Sequence, residues 1–134
     1  MRVAMFAVLI AVLLSGCESM SHTCPAGLAP MTEAQLFFGR SISGGATVGD
    51  ADWRRFVEEE IAPRFPAGFT VTDGDGQWRD QSGTVLREAS KEVTIVLTGA
   101  SGEDAKLAAI RGAYRTRFHQ ESVLLTERSV CGSF

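Results

Sequence analysis

Few side chains in this chain of 134 residues are equipped to do chemistry, and their spacing narrows what that chemistry can be. There are three cysteines, Cys17, Cys24 and Cys131, and two histidines, His22 and His119. They do not make a four-ligand zinc pattern, and His22 sits near Cys24 in a segment that does not read as folded. His119 falls at the end of an anticipated helix, where an imidazolium interacts well with the carbonyl end of the dipole. Asp73-Gly-Asp-Gly76 begins like a calcium loop, with Asp at the first and third positions. The glycine that such a loop requires would fall on Trp78, however, and its bidentate glutamate on Thr84. A glycine-rich bulge in a strand explains the segment better. No serine lies in a Gly-x-Ser-x-Gly elbow, so no catalytic residue is assigned, and no metal or cofactor motif is found. The set that could hold a ligand is Arg40, Gln77, Trp78, Lys91 and Glu92. Charged residues at strand positions beside an aromatic ring can line a shallow pocket for an anionic or sugar-like ligand. The competing reading is a cross-strand ion pair between Arg40 and Glu92, with Trp78 covering the sheet edge.

Cys17 has a different chemistry. Arg2 is the only charge before it, and Val3 to Leu14 is an unbroken apolar run, shorter than the roughly twenty residues that span a bilayer. That is the layout of a signal peptide. Leu14-Ser-Gly-Cys17 follows at once and resembles the lipobox of bacterial lipoproteins, in which the cysteine sulfur takes diacylglycerol and becomes the new N-terminus. The resemblance implies a precursor cut after residue 16, with a membrane anchor at Cys17. In Gram-negative lipoproteins an Asp after the modified cysteine commonly retains the protein in the inner membrane. Here that residue is Glu18, which points to the inner leaflet of the outer membrane if the host has one.

Cleavage removes one of the 13 basic residues and none of the 16 acidic ones, so the net charge moves from −3 to −4. Mild acidity with mixed signs argues against nucleic acid as a partner and against a polybasic grip on anionic lipid. The acyl chain is the only membrane contact to expect. What remains is enough for one domain and not two.

Residues 17–32 read as a lipidated tether, rich in Ser, Pro, Gly and Ala, and residues 33–134 as a single α+β domain. Residues 33–42 are β-prone and place Leu36 and Phe38 on one face. Gly44 and Gly45 open a loop. Asp50 is a plausible cap for a helix whose Trp53, Phe56, Val57 and Ile61 form one apolar stripe, closed by Pro63 and Pro66. A second strand runs from Phe69 and Val71 towards Trp78, bulged at Gly74 and Gly76. Asp80-Gln-Ser-Gly83 is a turn. A third strand sets Val93, Ile95 and Leu97 against Ser90, Glu92 and Thr94 on its other face. Ser101-Gly-Glu-Asp104 resembles a capping box for a second helix with Leu107, Ile110, Tyr114 and Phe118 as its stripe. Arg111 and Arg115 lie on the polar side of that helix and read as a solvated face. A last strand covers about Ser122 to Val130.

Strand, helix, strand, strand, helix, strand is the order of the ferredoxin-like sandwich, with two helices on one face of a four-stranded antiparallel sheet. In that topology the last strand lies antiparallel beside the first, so its end meets the start of the first. With Cys17 acylated, Cys24 and Cys131 are the even pair left in an exported protein, and they are expected to form a disulfide that staples the tether to the sheet.

Ala34-Gln-Leu-Phe-Phe-Gly-Arg40, Trp53-Arg-Arg-Phe-Val57, Pro66-Ala-Gly-Phe-Thr-Val71, Gly76-Gln-Trp78, Glu88-Ala-Ser-Lys91 and Arg117-Phe-His-Gln-Glu-Ser-Val123 together resemble the bacterial lipoprotein family known as domain of unknown function 3574. The resemblance spans about Met31 to Phe134 and implies no particular activity. Three functions stay open: a non-enzymatic binding or interaction module in the cell envelope, a small-ligand protein or enzyme using the polar sheet face, and a homodimer paired sheet to sheet. Phe37 should project from the face opposite Leu36, where a second copy would cover it.

Overall fold

A computed structural model describes residues 23–134. The signal segment, Cys17 and His22 lie outside the described residues. Four long strands, β1 (Ala29–Gly39), β4 (Thr70–Arg79), β5 (Val85–Leu97) and β6 (Leu124–Gly132), form one antiparallel sheet in the order β4-β5-β1-β6. Two short strands, β2 (Ser41–Ile42) and β3 (Ala46–Thr47), make a small hairpin after β1. Helix α1 (Asp50–Phe56) continues as a π-helical turn over Val57–Ile61, and α2 (Glu103–Phe118) links β5 to β6. The protein is thus an α+β domain with a four-stranded antiparallel sheet and two helices.

The core forms where apolar periodicities of both kinds converge. On β1 the period of two buries Ala34, Leu36 and Phe38, and β5 answers with Val93, Ile95 and Leu97. The helices bring Trp53, Phe56, Ile61, Leu107, Ile110, Tyr114 and Phe118 onto that same face. Phe38 ties the sheet to both helices: its ring centroid lies 5.3 Å from Trp53, 5.9 Å from Phe56 and 4.8 Å from Tyr114. These tilted and edge-on geometries are the ones the ring quadrupole favours. A one-residue slip of β1 would turn its apolar set away from the helices, so this packing fixes the register.

Several local expectations need correction. β1 begins at Ala29, inside the segment read as tether, because Ala29 and Pro30 pair with Gly132 and Cys131. Pro30 is tolerated because β5 joins β1 only from Thr32 onward, so the missing N–H breaks no pairing on that side. β4 carries no bulge: its partners run without interruption from Thr70↔Thr94 to Arg79↔Val85. Gly74 and Gly76 are regular strand positions. Asp50 is the first residue of α1 and not its cap; Gly49 precedes it with no side-chain cap, and the Asp50 carboxylate turns to Arg40. The expected capping box is also absent. Gly102, with φ +86°, precedes α2, and the Glu103 carboxylate reaches back to accept from the backbone N–H groups of Thr98 and Gly99. That serves the same end by another route, drawing a carboxylate to the positive end of the helix. Arg111 is not simply solvated, since its Nε donates to the Val123 carbonyl at 3.0 Å.

Cys24 and Cys131 are bonded, with Cα atoms 5.6 Å apart. The bridge joins the segment before β1 to the end of β6, as the antiparallel pairing of those strands requires. Among the described residues, no helix is long and apolar enough to cross a membrane.

Candidate functional site

The five residues proposed as a ligand set are divided between the two sides of the sheet. The cause is strand parity: Lys91 and Glu92 are consecutive on β5 and must point to opposite faces. Lys91 shares the helix-bearing side with Arg40, and Glu92 shares the open side with Trp78. The expected Arg40–Glu92 pair therefore does not exist. Arg40 donates through Nε to the Val48 carbonyl and through a terminal nitrogen to Asp50, both at short range, 2.8 and 2.7 Å. Glu92 accepts instead from Gln35 Nε2 at 2.8 Å across the β1–β5 ladder. Gln77 uses its side-chain oxygen to accept from Arg87 Nε. Lys91 is paired with Asp73.

The open face has a centre that the sequence reading missed, Glu88. It lies two positions along β5 from the direct partner of Trp78, and the indole Nε1 donates to its Oε1 at 2.7 Å. Its Oε2 accepts from the backbone N–H of Ser41 at 2.6 Å. The carboxylate can lie there only because residue 39 is glycine: a Cβ at Gly39 would fall 2.7 Å from the Glu88 carboxyl carbon. The same peptide corner is held from the other side by Tyr114, whose hydroxyl donates to the Gly39 carbonyl at 2.8 Å. Gln120 donates to the Ser41 carbonyl at 2.6 Å. The end of β1 is thus fixed by a carboxylate, a phenol and an amide drawn from β5, α2 and the segment after α2.

Around this carboxylate is a recess of about 230 Å³, bounded by Phe37, Gly39, Gly76, Trp78, Glu88 and Leu124. Glycines give it a floor without side chains, and Trp78 and Leu124 form its walls. Trp78 makes no ring–ring contact among the described residues, unlike the clustered core aromatics, so a face of the indole is not occupied by another ring. Glu88 has no salt-bridge partner among the described residues, and each of its oxygens has accepted one hydrogen bond of the two it can take. The recess therefore offers an aromatic surface beside an acceptor that has capacity left. Nothing in the spacing of Glu88 marked it out; the signal lay in Gly39, the glycine that ends apolar β1 and over which the Glu88 carboxyl group lies.

The second feature lies on the helix side, beyond the N-terminus of α1, where Arg40 and Lys91 belong to a groove of about 560 Å³. Among the described residues, no cluster of three or more His, Cys, Asp or Glu is placed to hold a metal ion.

A two-helix, four-strand antiparallel domain with a largely apolar recess around one carboxylate on its open sheet face defines the structural class. Residues 33–134 match the family described as protein of unknown function (DUF3574), and the chain belongs to that family. No curated protein sequence matches it. Among solved structures it is similar to a phage SAM lyase in complex with S-methyl-5'-thioadenosine, with a TM-score of 0.58 and 24% identity over 78% of this chain and 90% of that one. It is also similar to CutA from Synechococcus elongatus, with a TM-score of 0.50 and 13% identity over 81% of this chain and 87% of that one. At these identities the likeness is one of fold.

Proposed function

We propose that the protein is a small-ligand-binding module of the bacterial cell envelope, anchored by lipid on Cys17, whose site is the recess around Glu88 and Trp78. The observation that carries this reading is the Glu88 carboxylate. It is held over a glycine floor by Trp78 and the Ser41 amide, beside an indole with no aromatic partner. A ligand suited to it has a flat ring to lie on Trp78 and hydroxyl or amino groups to donate to Glu88. The order β4-β5-β1-β6, with helices linking β1 to β4 and β5 to β6, supports the ferredoxin-like topology expected from the sequence.

S-methyl-5'-thioadenosine has a ring and hydroxyl groups of the required kind, and a phage SAM lyase of similar fold is seen in complex with it. It is the first probe to use. Calorimetric titration into the full chain with its disulfide intact should give saturable binding at about millimolar Kd or tighter. Trp78→Ala and Glu88→Ala should each abolish it. Absence of binding by this nucleoside and by a panel of other ring-bearing polar metabolites would refute the site.

The anchor has its own test. Cys17→Ala should leave an unprocessed precursor and abolish labelling by a fatty-acid analogue, and labelling that survives the change would end that part of the proposal. A second reading, pairing of two sheets across the open face, is favoured by Leu124, which is 58% exposed beside Phe37. It predicts a dimer by light scattering that Phe37→Asp splits; a monomer at high concentration disposes of it.

A further inference from the structure

The groove on the helix side is a separate place with a separate logic. Six charged side chains border it, the cations Arg40, Arg54 and Lys91 and the carboxylates of Asp50, Asp73 and Asp75. Two of the cations are sunk into its floor: the side chains of Arg40 and Lys91 are 15% and 14% exposed. Their carboxylate partners stand at the rim, with Asp50 70% and Asp73 79% exposed. A partner solvated to that degree gains little from the pairing, because water competes for it and its side chain gives up rotamer freedom to stay. The floor thus has two largely desolvated cations whose present counter-ions are easily exchanged. Arg54 and Asp75 complete the lining and have no ion pair among the described residues.

We infer that this groove binds a small zwitterion of the free α-amino acid class, its carboxylate meeting Arg40 and Lys91 and its ammonium meeting the rim carboxylates. Three positive and three negative groups leave the lining neutral, which disfavours a polyanion as much as a polycation. Each sunken cation has a carboxylate beside it, so the groove alternates in sign over a few ångströms. An α-amino acid has its opposite charges at a similar separation. A ligand with only one charge would satisfy one set of groups and leave the other facing it with the wrong sign.

Titrations of the full, disulfide-bonded chain followed by amide NMR test this. L-leucine should shift the amides of Gly74, Asp75 and Lys91 saturably. Isocaproate, which lacks the ammonium, and isoamylamine, which lacks the carboxylate, should bind about tenfold more weakly or worse. Lys91→Met and Asp75→Asn should each weaken leucine binding by a similar factor, with amide dispersion kept as the check on folding. Arg54→Gln, at an unpaired position, gives a further variant with no structural partner to lose. Arg40 is left intact because it also holds the Val48 carbonyl. Failure of leucine to bind, equal binding of either analogue, or shifts confined to the recess at Trp78 would each overturn the inference. Failure of leucine to bind leaves the reading of the Trp78 recess untouched, since that recess is tested with a ring-bearing ligand and the Trp78 and Glu88 variants.

Discussion

Glu88 and Gly39 act as one unit. Removing the carboxylate by Glu88→Ala leaves the Ser41 amide and the Trp78 indole without their acceptor, and hydrogen bonds to a charged group contribute about 1.5–3 kcal/mol each way of counting. The expected loss is therefore about 2 kcal/mol, somewhat less where water reaches the freed donors. Gly39→Ala should cost a comparable amount, since its Cβ would expel the carboxyl group. Their effects should not add. In the Glu88→Ala background, Gly39→Ala should be nearly free, and a urea-denaturation double-mutant cycle measures the coupling. Tyr114 gives a second prediction at this scale. Burial pushes its phenol well above the ordinary value of 10.0, Arg40 opposing the rise and Glu88 adding to it. The folded-state pKa is thus above the unfolded one. Its contribution to stability is complete below pH 10 and declines as pH rises beyond it, because the unfolded chain releases the proton first. Tyr114 is the only tyrosine, so tyrosinate absorbance reports it without overlap. Ionisation should coincide with alkaline unfolding, and Tyr114→Phe should flatten the alkaline limb of the stability profile.

At the scale of elements, α2 ends in an unusual way. His119 closes it with φ +52° in the left-handed region, where a side chain costs about 1–2 kcal/mol and glycine costs nothing sterically. The residue is exposed, and the expected benefit of its imidazolium near the helix carbonyls is a few tenths to about 1 kcal/mol. Release of the strain is the larger effect. His119→Gly should therefore raise stability by about 0.5 kcal/mol once the extra freedom of the unfolded chain is subtracted, as measured by denaturant midpoint. The aromatic cluster makes the opposite case. Phe56 packs against Phe38, Trp53, Tyr114 and Phe118, with Arg117 over its ring, so Phe56→Ala should cost about 3–5 kcal/mol. That loss falls on a helix whose last five residues are π-helical and are tied to α2 through the ion pairs of Glu59 and Glu60 with Arg117.

For the whole molecule the Cys24–Cys131 bridge dominates. It closes a loop of 107 residues, for which the chain-entropy relation gives roughly 4.7 kcal/mol as an upper figure. Reduction, or replacement of both cysteines by alanine, should lower the thermal midpoint markedly. Binding at the Trp78 recess should persist in any folded fraction, because that recess lies at the far end of β1 from the bridge. Alkylation of the denatured, unreduced mature protein should find neither of these two cysteines free. With lipid on Cys17, the same bridge would leave only a short run of chain between membrane and domain.

The long strands, the two helices and their buried faces are legible in the order of residues. Leu36 and Phe38, Val93 to Leu97, and the stripes through Trp53 and Leu107 are written as periods of two and of 3.6, and burial only had to honour them. The disulfide is legible too: apart from Cys17 only Cys24 and Cys131 are left to pair, one just before β1 and one near the end of β6. Membership of the DUF3574 family is equally local, and residues 33–134 show it. Tertiary structure alone decided the rest. Whether Arg40 meets Glu92 or Asp50 depends on which side of a sheet each residue reaches, and a shift of one position along β5 reverses the answer. The role of Glu88 depended on the absence of a side chain at Gly39, on a different strand. Caps too were settled by distance in space: the Asp50 carboxylate meets Arg40 and not a helix N–H, and Gly102 precedes α2 with no side-chain cap from Ser101. Strand and helix patterns are repeated over many residues and survive local error. A site is a single coincidence of a few atoms, and it exists only after the strands have been paired.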